Sequence, residues 1–231
     1  MKYEIKGDSD CPLVEIKLGY NEMAKIERGS MVYTSDVSIE GKLNSNKRGF
    51  GGVLGAIGRS LTSGESMFIT NAVGTSDDGR IGVAPAIPGK IEKLEVSGNR
   101  QYRLNTGAFL ACDDSVQYVM KSQDIGKALF GGTGGLFVME TEGDGEVLVS
   151  AFGDMIALNV TSDKPLTIDN EHVVAWDKSL DYEIEIASGT FGFTTGEGLV
   201  NKFYGNGTVL IQTRNIHSLA DAITPFLPSS K

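Results

Sequence analysis

The chain has 231 residues and a formal net charge of −9, which is enough chain for one large domain or two small ones. Its 40% hydrophobic and 22% charged residues are typical of a globular protein and exclude an intrinsically disordered one. The acidic balance disfavours nonspecific nucleic-acid binding, because such binding needs a basic face. Glycine is abundant, at 30 residues, and we expect it in turns and close backbone contacts.

The cysteine pattern and the N-terminal residues point to one compartment. Cys11 and Cys112 are far apart, and neither has a cysteine or histidine nearby. We therefore expect two reduced, mostly buried thiols rather than a disulfide framework or a structural zinc site. The first residues are charged, and no apolar run approaches the ~18 residues of a membrane-spanning helix. The protein is predicted to be cytoplasmic, without a targeting presequence or a transmembrane segment.

Short alternating segments predict strands through most of the chain, and one pattern occurs three times. In each copy an apolar anchor is followed by polar turn residues and then by a strand that is predicted to be buried and to close on a carboxylate. Each anchor lies eight residues after the end of a preceding strand. The anchors are Ile26, Leu104 and Ile168, and the preceding strands end at Leu18, Val96 and Val160. A glycine-rich stretch and a second alternating strand complete each copy.

These repeats predict an all-β protein with one domain. Its three related β-units, at about 13–90, 91–154 and 155–215, are expected in a pseudo-threefold roll, because a unit this small needs neighbours to cover its apolar faces. A C-terminal helix is predicted within 216–231, with Ser218 and Asp221 as a capping box and Pro225 as its end. The alternative is a generic β-sandwich whose turn spacing imitates a repeat.

Several segments resemble a known family, and they occur in that family's order. They are GESMF at 64–68, APAIPGKI at 84–91, GAFLA at 107–111, GEGLV at 196–200 and QTR at 212–214. Over roughly residues 13–215 the chain resembles the mitochondrial-biogenesis (altered inheritance of mitochondria) family, whose bacterial members are proteins of unknown function. The resemblance implies a double-stranded β-helix fold similar to that of the tryptophan RNA-binding attenuation protein.

This resemblance implies little about mechanism. The family has no catalytic motif that could be placed on residues of this chain. Its yeast mitochondrial members are linked to the organisation of inner-membrane protein complexes, a role that does not transfer directly to a chain without a targeting presequence. Likeness of fold is also a weak argument for RNA binding.

The residues themselves give no sign of an enzyme. The sequence contains no nucleophile elbow, no phosphate-binding loop and no dinucleotide fingerprint. Of the two histidines, His172 follows Asp169 and Glu171, so a weak metal site is conceivable, but a turn histidine before a strand is favoured. His217 is expected at the surface. We predict no catalytic residues, no metal site and no cofactor.

Two segments are candidates for an interaction site. The glycine-rich insert at 44–63 combines Lys47, Arg48, Phe50 and Arg59. It is either a docking loop for a partner subunit, an anionic ligand or a membrane surface, or a cover for the end of the core. The second candidate is Gln212 with Arg214, at the end of the last strand. This arginine either binds a carboxylate or phosphate, or pairs with a local acid.

The favoured function is a non-enzymatic cytoplasmic scaffold or interaction protein that self-associates. Its partner is expected to be a second copy or another protein, and peripheral membrane contact is possible. The alternative is a small-molecule or anion-binding β-roll module. RNA binding by analogy of fold ranks third, because the sequence shows no basic or aromatic stripe.

Overall fold

The computed structural model describes residues 1–7, 10–42, 69–105, 107–122, 137–187 and 198–228. These residues form nineteen strands and one α-helix. The first strands are β1 (Lys2–Lys6), β2 (Leu13–Leu18), β3 (Met23–Glu27), β4 (Met31–Ser35), β5 (Val37–Lys42), β6 (Ile69–Gly74) and β7 (Gly79–Val83). The next are β8 (Ile91–Val96), β9 (Tyr102–Asn105), β10 (Phe109–Asp113), β11 (Gln117–Ser122), β12 (Phe137–Glu142) and β13 (Gly145–Ser150). The last are β14 (Met155–Val160), β15 (Leu166–Asp169), β16 (Val173–Asp177), β17 (Asp181–Ile186), β18 (Leu199–Tyr204) and β19 (Gly207–Gln212), followed by α1 (Ile216–Ile223).

The same four antiparallel pairings occur in three successive groups of six strands. We call these groups unit 1 (β2–β7), unit 2 (β8–β13) and unit 3 (β14–β19). In each unit the sixth strand pairs with the first and the third. The fifth strand pairs with the second and the fourth. Each unit therefore consists of two half-sheets: a leading one from its first, sixth and third strands, and a trailing one from its second, fifth and fourth strands.

Pairing between units joins these half-sheets into larger sheets. The second strand of unit 1 pairs with the third strand of unit 2 (β3 with β10), and the second strand of unit 2 pairs with the third strand of unit 3 (β9 with β16). Sheet I is β1-β2-β7-β4, sheet II is β5-β6-β3-β10-β13-β8, sheet III is β11-β12-β9-β16-β19-β14, and sheet IV is β15-β18-β17. Sheets II and III are thus complete, whereas sheets I and IV each contain only one half-sheet.

An apolar core lies between each pair of successive sheets, which gives three cores for the four sheets. Ile16 and Ile81 of sheet I pack against Ile26 and Leu148 of sheet II. Between sheets II and III the core is built from both complete sheets and includes Leu104. Between sheets III and IV the core includes Trp176, Phe203 and Ile168. The predicted anchors Ile26, Leu104 and Ile168 all lie in these cores, at 1%, 0% and 8% exposure.

A bulge and a carboxylate mark the third strands. The register of the third strand against the sixth shifts between Met31 and Tyr33 in unit 1, and at the corresponding places in units 2 and 3. In units 2 and 3 the carboxylate predicted at the end of the third strand binds an amide at the start of the sixth strand. Asp113 Oδ2 accepts a hydrogen bond from the Glu146 amide at 2.6 Å, and Asp177 Oδ2 accepts one from the Thr208 amide at 2.8 Å.

The C-terminal helix differs from its prediction at its N-terminal end. It begins earlier than Ser218, because Asn215 is the N-cap and its Oδ1 accepts a hydrogen bond from the Ser218 amide at 2.7 Å. The expected Ser218–Asp221 capping box is therefore wrong. The helix ends at Ile223, before Pro225 as predicted, because Pro225 lies in a short 3-10 turn and has no amide hydrogen to continue the helix. Its apolar residues Ile216, Leu219 and Ile223 are exposed.

The all-β class with a short C-terminal helix is confirmed. The pseudo-threefold arrangement is not: among the described residues the units follow one another in open sheets, and the pairing between units is made twice. The likeness to the tryptophan RNA-binding attenuation protein stays a prediction. No helix in these parts of the chain is long and apolar enough to cross a membrane.

Candidate functional site

The first candidate segment, the glycine-rich insert at 44–63, lies outside the described residues. This segment contains Lys47, Arg48, Phe50 and Arg59. The two interpretations of the insert, a docking loop and a cover for the core, therefore both stay predictions.

Gln212 and Arg214 lie at the end of β19, but they do not form a joint site. The side-chain amide of Gln212 is used within the protein: its Oε1 accepts from the Phe152 amide at 2.9 Å and its Nε2 donates to the Glu171 carbonyl at 2.8 Å. Arg214 is exposed, and its Nη1 donates to the Thr213 carbonyl at 3.4 Å. Within the described residues it forms no ion pair, so the expected local acid partner is not found there.

Gln212 lines a cavity of about 360 Å³ next to the start of α1. Asn105 reaches across to this region and donates through Nδ2 to the Val173 carbonyl at 2.8 Å. His217 and Glu171 also line the cavity, where the His217 ring contacts the Glu171 carboxylate. The cavity therefore lies where β9, the turn before β16 and the first turn of α1 meet.

His172 joins β19 to the cap of the helix. Its Nδ1 lies 2.7 Å from the Gln212 carbonyl oxygen, and its Nε2 lies 3.0 Å from Asn215 Nδ2. Because a carbonyl can only accept, Nδ1 carries the proton and Nε2 accepts from the asparagine amide. Both ring nitrogens are thus occupied in the neutral imidazole, which fits the predicted turn histidine rather than a metal ligand.

We expect Asn215→Ala to lower the free energy of unfolding by about 1 kcal/mol, because it removes the N-cap of α1. It also leaves His172 Nε2 without its donor. Asn215→Asp is the matched control, since it keeps the capping oxygen but not the amide donor. Urea titration of the three proteins gives the comparison, and the aspartate variant should lie between the other two. Equal losses in both variants would contradict the capping role.

A second polar cluster surrounds a buried carboxylate on β12. Glu140 is 2% exposed, and its oxygens lie 2.5 Å from Lys178 Nζ, 3.2 Å from Lys121 Nζ and 3.2 Å from Arg103 Nε. Burial by itself would raise the pKa of Glu140, but the three cations outweigh it and hold the pKa at about 2. Arg103 also donates to the Leu180 carbonyl at 3.1 Å. The cluster connects β9, β11 and β12 to the segment after β16.

The cysteines behave differently from each other. Burial raises the pKa of the Cys112 thiol to about 12, so it is protonated near neutral pH and a poor nucleophile. Cys11 is exposed, which corrects the expectation of two mostly buried thiols; it lies in the bend before β2 rather than in a strand. Among the described residues, no group of histidine, cysteine and acidic side chains could hold a metal ion.

The largest contrast between equivalent segments occurs at the third strands. Four of the five residues of β10 and of β16 are buried, whereas every residue of β4 is exposed. Met31, Val32 and Tyr33 are 46%, 56% and 38% exposed. β4 is an edge strand of sheet I, whereas β10 and β16 each have a partner on both sides. An apolar strand edge is therefore open at one end of the stack of sheets.

The comparisons with known proteins now identify the family. The family model described as "Mitochondrial biogenesis AIM24" matches residues 3–214, which include all strands but the first residue of β1. The chain belongs to the AIM24 family. The predicted resemblance is thereby confirmed.

Two relatives of this AIM24 chain come from Streptococcus pyogenes. One, described as an uncharacterised protein of a serotype M6 strain, is 48% identical over 232 residues, covering 100% of this chain and 92% of the relative. The other is a protein with an X-ray crystal structure. It is 44% identical, with a TM-score of 0.81, over 98% of this chain and 99% of that one. The crystal structure has the same fold.

Sequence reasoning did not find the two most distinctive features of this AIM24 protein. Glu140 was not singled out, because it lies in a run of four successive buried residues, 138–141, that does not alternate and gives no local sign of a buried carboxylate. The third strand was predicted to be buried in all three copies, and for β4 this prediction is wrong. Its apolar residues resemble those of β10 and β16, so the sequence carried no signal of the difference.

Proposed function

We propose that this AIM24 protein is a non-enzymatic, cytoplasmic interaction protein that self-associates through the exposed edge of β4. One observation carries the proposal: a strand whose two equivalents are buried in the same chain is open to solvent at a sheet edge. Open edges with apolar side chains are sites at which other strands add. A partner that adds a strand covers this edge, and such binding requires no catalytic residue.

The chemistry of the described side chains supports a binding role over catalysis. The His172 ring, the Gln212 amide and the Glu140 carboxylate are all occupied by neighbours in the chain. The Cys112 thiol is buried and protonated. These groups stabilise the fold, and they are therefore not available to transfer a proton or attack a substrate.

A small-molecule or anion-binding function receives less support. The cavity beside α1 is lined largely by apolar surface, and two of its polar side chains, Gln212 and Asn215, already bind Phe152 and His172. Arg214 lies near it but is exposed and contacts only the adjacent carbonyl among the described residues. RNA binding also receives less support, because the chain carries a net charge of −9 and such binding needs a basic face.

The mass of the native protein tests the proposal. Light scattering should give a multiple of the 24.6 kDa chain mass. Val32→Lys should weaken the association at least ~10-fold, because it places a charge at the apolar edge. Ile156→Lys is the matched control, as Ile156 is a similarly exposed residue (43%) on β14, and it should leave the mass unchanged. A mass of one chain at all concentrations would overturn the proposal.

A further inference from the structure

The two ends of the stack of sheets are complementary. Each complete sheet, II and III, joins a trailing half-sheet to a leading half-sheet through the second strand of one unit and the third strand of the next. Sheet IV is the trailing half-sheet of unit 3, and its edge strand β15 is a second strand. Sheet I contains the leading half-sheet of unit 1, and its edge strand β4 is a third strand. Each end thus has the half that the other lacks.

We propose that β15 of one protomer pairs antiparallel with β4 of a second protomer, so that sheet IV and sheet I form one continuous sheet across the two copies. The inference rests on the proposed self-association and names its partner and surface. The occupant of the β4 edge is a second copy, because the chain itself makes this pairing twice, between β3 and β10 and between β9 and β16.

The internal pairings set the register between the copies. In both, the third residue of the third strand lies opposite the anchor: Ala111 opposite Ile26, and Ala175 opposite Leu104. Tyr33 is the third residue of β4, and Ile168 is the anchor in β15. The joint sheet therefore pairs Tyr33 with Ile168, Thr34 with Thr167 and Ser35 with Leu166.

Burial supports the same pairing. Leu110 and Val174, the bulged residues of β10 and β16, are 0% and 2% exposed, whereas the equivalent Val32 of β4 is 56% exposed. In the internal sheets, the neighbouring half-sheet and the layer behind it cover this position. A second copy at the β4 edge supplies both, so association should bury Met31, Val32 and Tyr33.

One difference distinguishes the contact between copies from the contacts within the chain. In the second strands, Lys25 Nζ donates to the Val116 carbonyl at 2.7 Å, and Arg103 Nη1 donates to the Leu180 carbonyl at 3.1 Å. In both cases the cation directly precedes the anchor. Its acceptor is the carbonyl five residues after the residue that pairs with the anchor, which is Ala111 or Ala175. The equivalent residue of β15 is Thr167, whose short side chain cannot make this contact. The joint between copies lacks this bond and should dissociate more easily.

The pairing is heterologous, because two different edges meet. Each added copy leaves one free β4 edge and one free β15 edge, so the assembly either closes into a ring or grows as a filament. An isologous dimer, in which β4 pairs with β4, is the competing geometry.

Cysteine cross-linking tests the pairing and its register. In a Cys11→Ser background, Thr34→Cys and Thr167→Cys chains with different tags are co-expressed and mildly oxidised. Both positions are exposed, and paired positions in adjacent antiparallel strands lie within disulfide reach. Co-expression should give mixed covalent dimers at least ~10-fold above either variant alone. Thermal midpoints close to that of the parent establish that both variants fold.

A register control and the native mass separate the outcomes. Ser35→Cys with Thr167→Cys shifts the pair by one residue and points the thiols to opposite faces, so it should give at least ~10-fold less dimer. Dimers of Thr34→Cys alone would indicate the isologous geometry and overturn the inference. An oligomeric native mass without mixed dimers would also overturn it but leave the proposed function standing. A single-chain mass would overturn both.

Discussion

Trp176→Ala is expected to lower the free energy of unfolding by about 3–5 kcal/mol, the range for truncating a large buried aromatic residue. Trp176 is fully buried between sheets III and IV. Its ring makes edge contacts with Tyr182 and Phe203, at centroid distances of 5.1 and 5.6 Å. Sheet IV has only three strands, so it depends on this core more than a complete sheet would. Urea titration measures the loss.

Trp176→Phe is the matched control for this prediction. The indole nitrogen of Trp176 is buried and has no hydrogen-bond partner among the described residues, so phenylalanine removes an unsatisfied donor while it keeps an aromatic ring. Its loss should be about 1 kcal/mol. If the alanine variant were no less stable than the phenylalanine variant, the core between sheets III and IV would not hold sheet IV.

Glu140→Gln is expected to lower the free energy of unfolding by about 2 kcal/mol at pH 7, because three cations lose the carboxylate that they share. This loss in the free energy of unfolding is smaller than for a fully buried ion pair, because Lys121 and Lys178 are partly exposed and water screens their charges. Glu142→Gln is the matched control: Glu142 is exposed on the same strand, and its replacement should change stability by less than ~0.5 kcal/mol.

The effect of Glu140→Gln should depend on pH in a defined direction. Folding lowers the pKa of Glu140 from 4.5 to about 2. The carboxylate therefore contributes its full stabilisation above pH 4.5, and this contribution decreases as the pH falls towards 2. Urea midpoints at pH 7, 5 and 3.5 should show a difference between parent and variant that is constant over the first two and smaller at the third. An undiminished difference at pH 3.5 would exclude the ion cluster as its cause.

Much of the local structure could be predicted from the sequence, because it depends on short-range patterns. The alternation around Leu94 and Val96 predicts β8, and Leu94 and Val96 are buried as such a pattern requires. The threefold spacing of the anchors corresponds to second strands that occupy equivalent places in the pairing scheme. Helix α1 was predicted, but its cap was not, since Asn215 caps it from within a network that includes His172.

The candidate site could not be predicted in the same way. Gln212 was chosen for its place at a strand end, but its amide is used by Phe152 and Glu171, which are distant in sequence. Glu140 was overlooked because its three cations come from three other segments of the chain. Contacts of this kind depend on the order of the strands across a sheet, and this order cannot be deduced from local sequence patterns.

The sequence by itself determined the all-β class, the repeated spacing and the family, because alternation, turn residues and motifs are local properties of the chain. Only the tertiary structure decided which of three similar apolar strands is exposed. β4, β10 and β16 have comparable side chains, but β10 and β16 each have a preceding unit that supplies a second strand beside them, and β4 has none. Whether a strand is buried depends on the strands beside it, and β4 lacks the neighbouring second strand that β10 and β16 have.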